Sequence, residues 1–194
     1  MADFTTAYNI TKKFEGGYQA RASDTGNYCD GVLVGTNRGI SAPTFKAYYG
    51  YCPTGMQMIQ LTEDQARPIY RDNFWNTIRG DELLNQSVAN MMFDMFVNHP
   101  GYGRDILRTA VANQLPMYTT VERPFSDDEL SAINRIDQSI LFNDLRAGRE
   151  QAYRTQALKP GQEEYLDGWL ARLAQLNWDA KYKTPITYAT VAII

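Results

Sequence analysis

A single histidine, His99, and two cysteines, Cys29 and Cys52, are all the soft metal ligands that 194 residues offer. A zinc amidase or peptidase needs several such ligands around one ion, so that chemistry is excluded and no metal is expected. A Cys/His peptidase would have to pair His99 with Cys29 or Cys52, and neither cysteine sits at a helix start that would activate it. His99, in Asn-His-Pro, reads as a helix-end residue. Basic residues are not in excess either: 19 Lys and Arg against 22 Asp and Glu leave a net charge of -3. That balance argues against a nucleic-acid partner, which demands a cationic face. No run approaches the ~20 apolar residues that span a bilayer, and the start, MADFTTAYNITKKF, lacks the apolar core of a secretory signal. The expectation is a chain made soluble in the cytoplasm.

What is present is an ordinary globular composition, 44% hydrophobic and 21% charged, without repeats. Phe4, Ala7, Ile10 or Thr11, and Phe14 recur at helical spacing, and Gly16-Gly17 follows as a stop of the kind that tolerates positive φ. The first helix therefore ends at or near Glu15. From Gly17 to about Ala42 helical period is lost, and Val32, Leu33 and Val34 suit a short strand or hairpin arm. Cys29 and Cys52, 23 positions apart, can pair if the compartment is oxidising; spacing alone leaves free thiols as the alternative.

Thr62 to Gln65 reads as a capping box with acids in the first turn, and Pro68 should bend the helix it starts. Ser87 to Asn98 is apolar nearly all round, a central buried helix whose one polar stripe is Asn90, Asp94 and Asn98. A further helix covers Ile106 to Leu115, and Thr119 to Pro124 is a connection. Ser126 to Glu129 is a second capping box, from which Ile133, Ile136, Ile140, Leu141 and Leu145 extend one long amphipathic helix. Beyond Pro160-Gly161, Leu166, Trp169, Leu173 and Leu176 mark a last helix. The pattern predicts a mainly α fold of six or seven helices with minor β structure after the first.

A glycosidase needs a carboxylic acid that can give its proton to the leaving oxygen. Glu15 suits that role: unpaired carbonyls at a helix end make a negative potential that favours the protonated form, and two glycines allow a sugar close approach. Spacing alone is better satisfied by a surface glutamate before a Gly-Gly turn.

The order of motifs separates the two. Phe14-Glu15-Gly16-Gly17-Tyr18, Ser23-Asp24-Thr25-Gly26 and Asn37-Arg38-Gly39-Ile40-Ser41 resemble the opening of the glycoside hydrolase family 108 N-acetylmuramidases, lysozyme-like endolysins also known as secretion activator proteins. Leu61-Thr62 through Ile69-Tyr70 and Trp75 resemble the family's next segment. Phe93-Asp94-Met95, Val97-Asn98, Leu130 to Asn134 and Gly168 to Leu173 resemble the peptidoglycan-domain segment that accompanies it.

The resemblance implies a lysozyme-like fold, a catalytic region over 1–86, a helical region over 87–182 packed into the same globule, and a β-prone tail over 183–194. It implies cleavage of the MurNAc–GlcNAc bond in peptidoglycan glycan strands, without cofactor, at the cell wall, with a holin or secretion machinery for release. Glu15 takes the proton-donor position and Asp24 matches the aspartate of the D-x-G segment. An insert over 27–36 and Ser41 in place of threonine depart from the family, and the insert leaves Asp24 and Asp30 both open as the second carboxylate. Asp24 is equally readable as an Asx-turn residue in Ser-Asp-Thr-Gly. Water held by Asp24 or Thr36 on the far face of the sugar would invert the anomeric centre. Gly17, Tyr18, Thr36, Asn37, Asp94 and Asn98 are expected to line the glycan cleft, with the Asn90, Asp94, Asn98 stripe equally readable as a set of structural pins.

Overall fold

The computed structural model describes residues 1–117 and 124–182. Among these are nine α-helices: α1 Phe4–Thr11, α2 Ala42–Tyr49, α3 Gly55–Ile59, α4 Glu63–Tyr70, α5 Gln86–Asn98, α6 Pro100–Gln114, α7 Asp127–Arg135, α8 Gln138–Ala157 and α9 Leu166–Ala174. One antiparallel hairpin joins β1 Tyr28–Cys29 to β2 Val32–Leu33. The expected tail over 183–194, and the connection at 119–124 except Pro124, lie outside the described residues.

Phe4, Ala7, Tyr8 and Thr11 form the buried face of α1, at the spacing of one helical stripe. That face lies against α5, where Phe4 meets Phe93 edge-on with centroids 5.8 Å apart. Residues Gln86 to Phe96 of α5 are all buried, because α1 covers one side while α6 and α8 cover others. A helix in that position has no solvent face to give to charge. Its polar residues must find partners inside.

The Thr62 and Ser126 capping boxes are both closed. After Pro68, which lacks the N–H for the Asp64 carbonyl, α4 ends at Tyr70 and passes into a π turn over Arg71–Trp75. That turn buries Trp75 completely.

Three expectations are corrected. First, α7 and α8 are two helices, not one: Ile136 is extended at ψ 144°, and the Asp137 carboxylate accepts from the amides of Ser139 and Ile140, starting a new helix. Second, the described residues hold nine helices where six or seven were expected, and beyond that split the added ones are the short α2 and α3, which follow the loop. Ser41 caps α2 and Thr54 caps α3. Third, neither Gly16 nor Gly17 adopts positive φ; the chain leaves α1 through a 3-10 turn, Lys12–Phe14, into extended backbone at Glu15.

The hairpin is tight. Asp30 and Gly31, at φ 48° and 82°, make its two-residue turn in the left-handed conformation that matches strand twist. Cys29 and Cys52 are disulfide-bonded, with Cα atoms 5.7 Å apart, which ties the hairpin to the connection between α2 and α3.

Candidate active site

Glu15 stands where α1 has just ended, and the strand-like segment behind it lies alongside residues 36–38. The Arg38 amide donates to Gly16 O at 3.1 Å, and Gln19 and Thr36 exchange backbone bonds of 2.9 and 2.8 Å. Gly39, at φ +71°, closes the turn directly against the acid. A Cβ there would lie 2.5 Å from Glu15 Oε2 and 2.2 Å from the Tyr70 hydroxyl. Tyr70 is buried, and its hydroxyl donates to Arg38 O at 2.9 Å. Burial, then the charge of Glu15, push the Tyr70 phenol well above its ordinary pKa, so it stays a neutral donor.

The other carboxyl oxygen is held from the far end of the chain. Arg172 on α9 donates from Nη2 to Glu15 Oε1 at 2.9 Å. The same guanidinium binds Asp94 on α5, with Nε 3.0 Å from Oδ2 and Nη2 2.9 Å from Oδ1. Arg149 on α8 donates to Asp94 Oδ2 as well, and from Nε to the Tyr153 hydroxyl at 2.8 Å. Tyr153 passes the chain on to Asn98 Oδ1 at 2.8 Å. Asp94 is fully buried, with Arg149 at 2% and Arg172 at 7% exposure. Burial alone would raise the Asp94 pKa, but Arg149 and Arg172 outweigh it and hold the carboxyl below its usual range. Burial likewise works against the charge on Arg172, and Asp94 followed by Glu15 more than restore it.

The sequence reading placed the environment of Glu15 in the helix-end carbonyls, Phe14 and the two glycines, and it did not include the Arg172 guanidinium 2.9 Å from the carboxyl group. The glutamate side chain is 17% exposed. Beside it Gly16 and Gly17 face open space, with nothing within 4 Å of where a Cβ would stand. The result is a bare backbone ledge next to a part-exposed carboxyl group.

The other expected residues fall into distinct settings. Thr36 is half-buried on the segment paired with Gln19 and donates to Gly26 O at 3.3 Å. Asn37 is buried, and its amide donates to Met58 O and Ile59 O. Tyr18 is 40% exposed and packs its ring over Gly35, with its hydroxyl on Val34 O. Asp24 is exposed; it accepts from the Gly26 amide, the Asx-turn contact, and from Gln19 Nε2 at 3.0 Å. Asp30, at the hairpin tip, is paired with Lys46 at 2.7 Å. Asp94 and Asn98 belong to the buried relay behind Glu15, and Asn90 accepts from Gln86 at 2.8 Å. Ser41, at the family's threonine position, is the α2 cap.

A cavity of about 120 Å³ lies among α5, α6, α8 and α9, walled by His99, Tyr102, Tyr153 and Trp169. None of its lining residues is Glu15 or a member of the Gly16–Tyr18 ledge. Among the described residues, the one set of three possible metal ligands is Cys29, Asp30 and Cys52, and the disulfide takes both sulfurs.

Arg172, Arg149, Tyr70 and Gly39 are the site residues that reading the sequence missed. A signal existed for the arginines: Arg172 sits in the apolar stripe of Trp169, Leu173 and Leu176, and Arg149 between Leu145 and Tyr153 at four-residue spacing. Cations on buried stripes require buried anions, and Asp94 was the anion in view.

The family model for glycosyl hydrolase 108 matches residues 8–100, a span that contains Glu15, Gly39, Tyr70 and Asp94. None of the curated proteins compared matches the chain. Among solved structures, SagA from Brucella abortus is similar in fold, with a TM-score of 0.68 and 23% identity over 89% of this chain and 90% of that one. No helix among the described residues is long and apolar enough to cross a membrane. Residues 8–100, just under half of the chain, thus resemble the glycosyl hydrolase 108 family, and that match supports a glycoside hydrolase of the muramidase type acting on peptidoglycan.

Proposed function

We propose that the protein hydrolyses the MurNAc–GlcNAc bond of peptidoglycan with Glu15 as proton donor. The observation that carries this reading is the part-exposed Glu15 carboxyl beside the open Gly16–Gly17 ledge, inside the family-matched segment. A pyranose laid on that ledge meets no side chain of its own strand. Protonated Glu15 gives its proton to the glycosidic oxygen as the C1–O bond breaks. Water adds to C1 from the opposite face, and its proton leaves to Asp24 or to solvent. Glu15, now a carboxylate, is reprotonated from water.

Asp24 and Thr36 hang from the Gln19 segment, which continues the Glu15 strand, and so are the candidates to orient that water. Asp30 is the weaker choice for a second carboxylate, being held by Lys46 at the hairpin tip. A water-activating arrangement predicts inversion. Gly17, Tyr18 and the Thr36–Asn37 edge form the near wall for the glycan; Asp94 and Asn98 act behind it. Residues 1–86 and 87–182 are two parts of one working unit. Its place of action is the bacterial cell wall, reached through a holin or a secretion route.

The test compares the parent protein with Glu15→Gln on purified peptidoglycan. New reducing ends from the parent and none from E15Q are expected, with intact N-acetylmuramic acid at the cut by mass spectrometry and an inverted anomer by proton NMR. Products one water lighter would mean a lytic transglycosylase. Wall binding without any cleavage would mean a non-catalytic wall-binding factor. An E15Q variant that folds and cuts at the parental rate removes the assignment.

A further inference from the structure

We infer that Arg172, contributed by α9 outside the family-matched segment, is a positioning residue that aims the Glu15 carboxyl group. The inference rests on Glu15 being the proton donor. Among the described residues, Arg172 is the one side-chain hydrogen-bond partner of Glu15. A glutamate leaving a 3-10 turn in extended backbone has three free torsions, and a single fixed donor removes most of that freedom.

Arg172 is itself unable to wander. Two of its nitrogens are on Asp94, its guanidinium lies 5.2 Å from the centre of the Phe14 ring, and it is 7% exposed. Asp94 is in turn held by Arg149, so the acid is fixed through two buried layers, α9 and then α5 with α8. A lysine could not replace this fork, because a point charge cannot make both contacts with the arginine geometry.

The grip falls on Oε1. Oε2, the oxygen against Gly39, is left to carry the proton. After proton transfer the new carboxylate already faces its cation. The groups around Glu15 are Arg172 from α9, Asp94 from α5, Arg149 from α8, the neutral Tyr70 phenol from α4, Arg38 from the facing loop, and Lys12 and Lys13 on its own turn. Lys12 is committed to Glu63 at 2.6 Å. The consequence is that residues 8–100 do not contain a complete site.

The experiment measures kcat and KM for release of reducing ends from peptidoglycan by the parent, E15Q, Arg172→Met and Arg172→Lys, with circular dichroism to confirm folding. R172M should lose kcat by about tenfold or more with KM near the parental value, because aim is lost and glycan contacts are kept. R172K should recover part of kcat. Folded R172M with parental kcat overturns the inference. If R172M does not fold, R172K decides: parental kcat overturns it, and lowered kcat at constant KM supports it. An inactive parent, or an active E15Q, would instead sink the assignment of Glu15 itself.

Discussion

The Tyr70 hydroxyl donates to the Arg38 carbonyl, and this bond holds the left-handed pair Arg38 and Gly39, at φ 50° and 71°, against the tip of Glu15. No methyl group fits there: a Cβ at 39 would lie 2.2 Å from one oxygen and 2.5 Å from the other. Gly39→Ala must displace Tyr70 or Glu15, and the left-handed backbone adds about 1–2 kcal/mol of strain. Activity should fall at least tenfold while the fold survives. Tyr70→Phe, which leaves Arg38 O without its donor, should cost about 1–3 kcal/mol. Thermal melts and reducing-end assays on both variants check this; G39A with parental turnover would mean that the acid and the loop are not in contact.

Asp94 should give the protein an acid-sensitive core. Its carboxyl is held below the ordinary 3.8 because Arg149 and Arg172 outweigh the cost of burial. A group with a depressed folded pKa stabilises the fold above the unfolded value and loses that contribution as pH falls through the folded one. Stability from Asp94 should therefore be complete at neutral pH and begin to fade below about 4. Asp94→Asn leaves two buried cations short of an anion and should cost about 3–5 kcal/mol. Melting temperature followed from pH 7 to pH 2 should fall more shallowly for D94N than for the parent. Parallel curves would show that Asp94 is not the linked group.

What the sequence made legible was whatever a local rule could carry. The end of the first helical stretch just before Glu15, the two capping boxes and the central position of α5 follow from spacing and side-chain types within one or two turns. The hairpin did too, from Val32 and Leu33 between turn formers. The break at Ile136–Asp137 was locally written, in an aspartate two residues before a serine, but an unbroken apolar stripe across it hid the cap. The relay behind Glu15 was beyond local rules. Arg172 is 157 positions from Glu15 and 78 from Asp94. Only packing α9 beside α5 and the end of α1 shows that the polar stripe of α5 holds an arginine fork.

The disulfide should matter to stability more than to chemistry. Closing 23 positions between Cys29 and Cys52 restricts the unfolded chain by about 3 kcal/mol. Reduction should lower the melting temperature by about 6–12 °C for a chain of this size. Hydrolysis at 25 °C should persist, because the Glu15 relay and the Gln19–Thr36 bonds do not pass through the bridge. Differential scanning calorimetry with and without dithiothreitol reads the shift; two titratable thiols in the untreated native protein would show that the bond is not formed.

One defect in the core points to a gain. Among the described residues, the Thr11 hydroxyl is the one buried side-chain polar atom without a hydrogen-bond partner, and the residue is 1% exposed on the face α1 turns to α5. A hydroxyl taken from water without a partner costs about 1–3 kcal/mol. Valine has the same branching at Cβ, so Thr11→Val replaces oxygen by methyl with little change of shape. The variant should be more stable by about 1 kcal/mol, a rise of about 2–4 °C in melting temperature. Turnover should be parental, since Glu15 keeps Arg172, Gly39 and the open ledge. A lower melting point would mean that the hydroxyl is bonded in solution, and the packing of α1 on α5 would then have to include that partner.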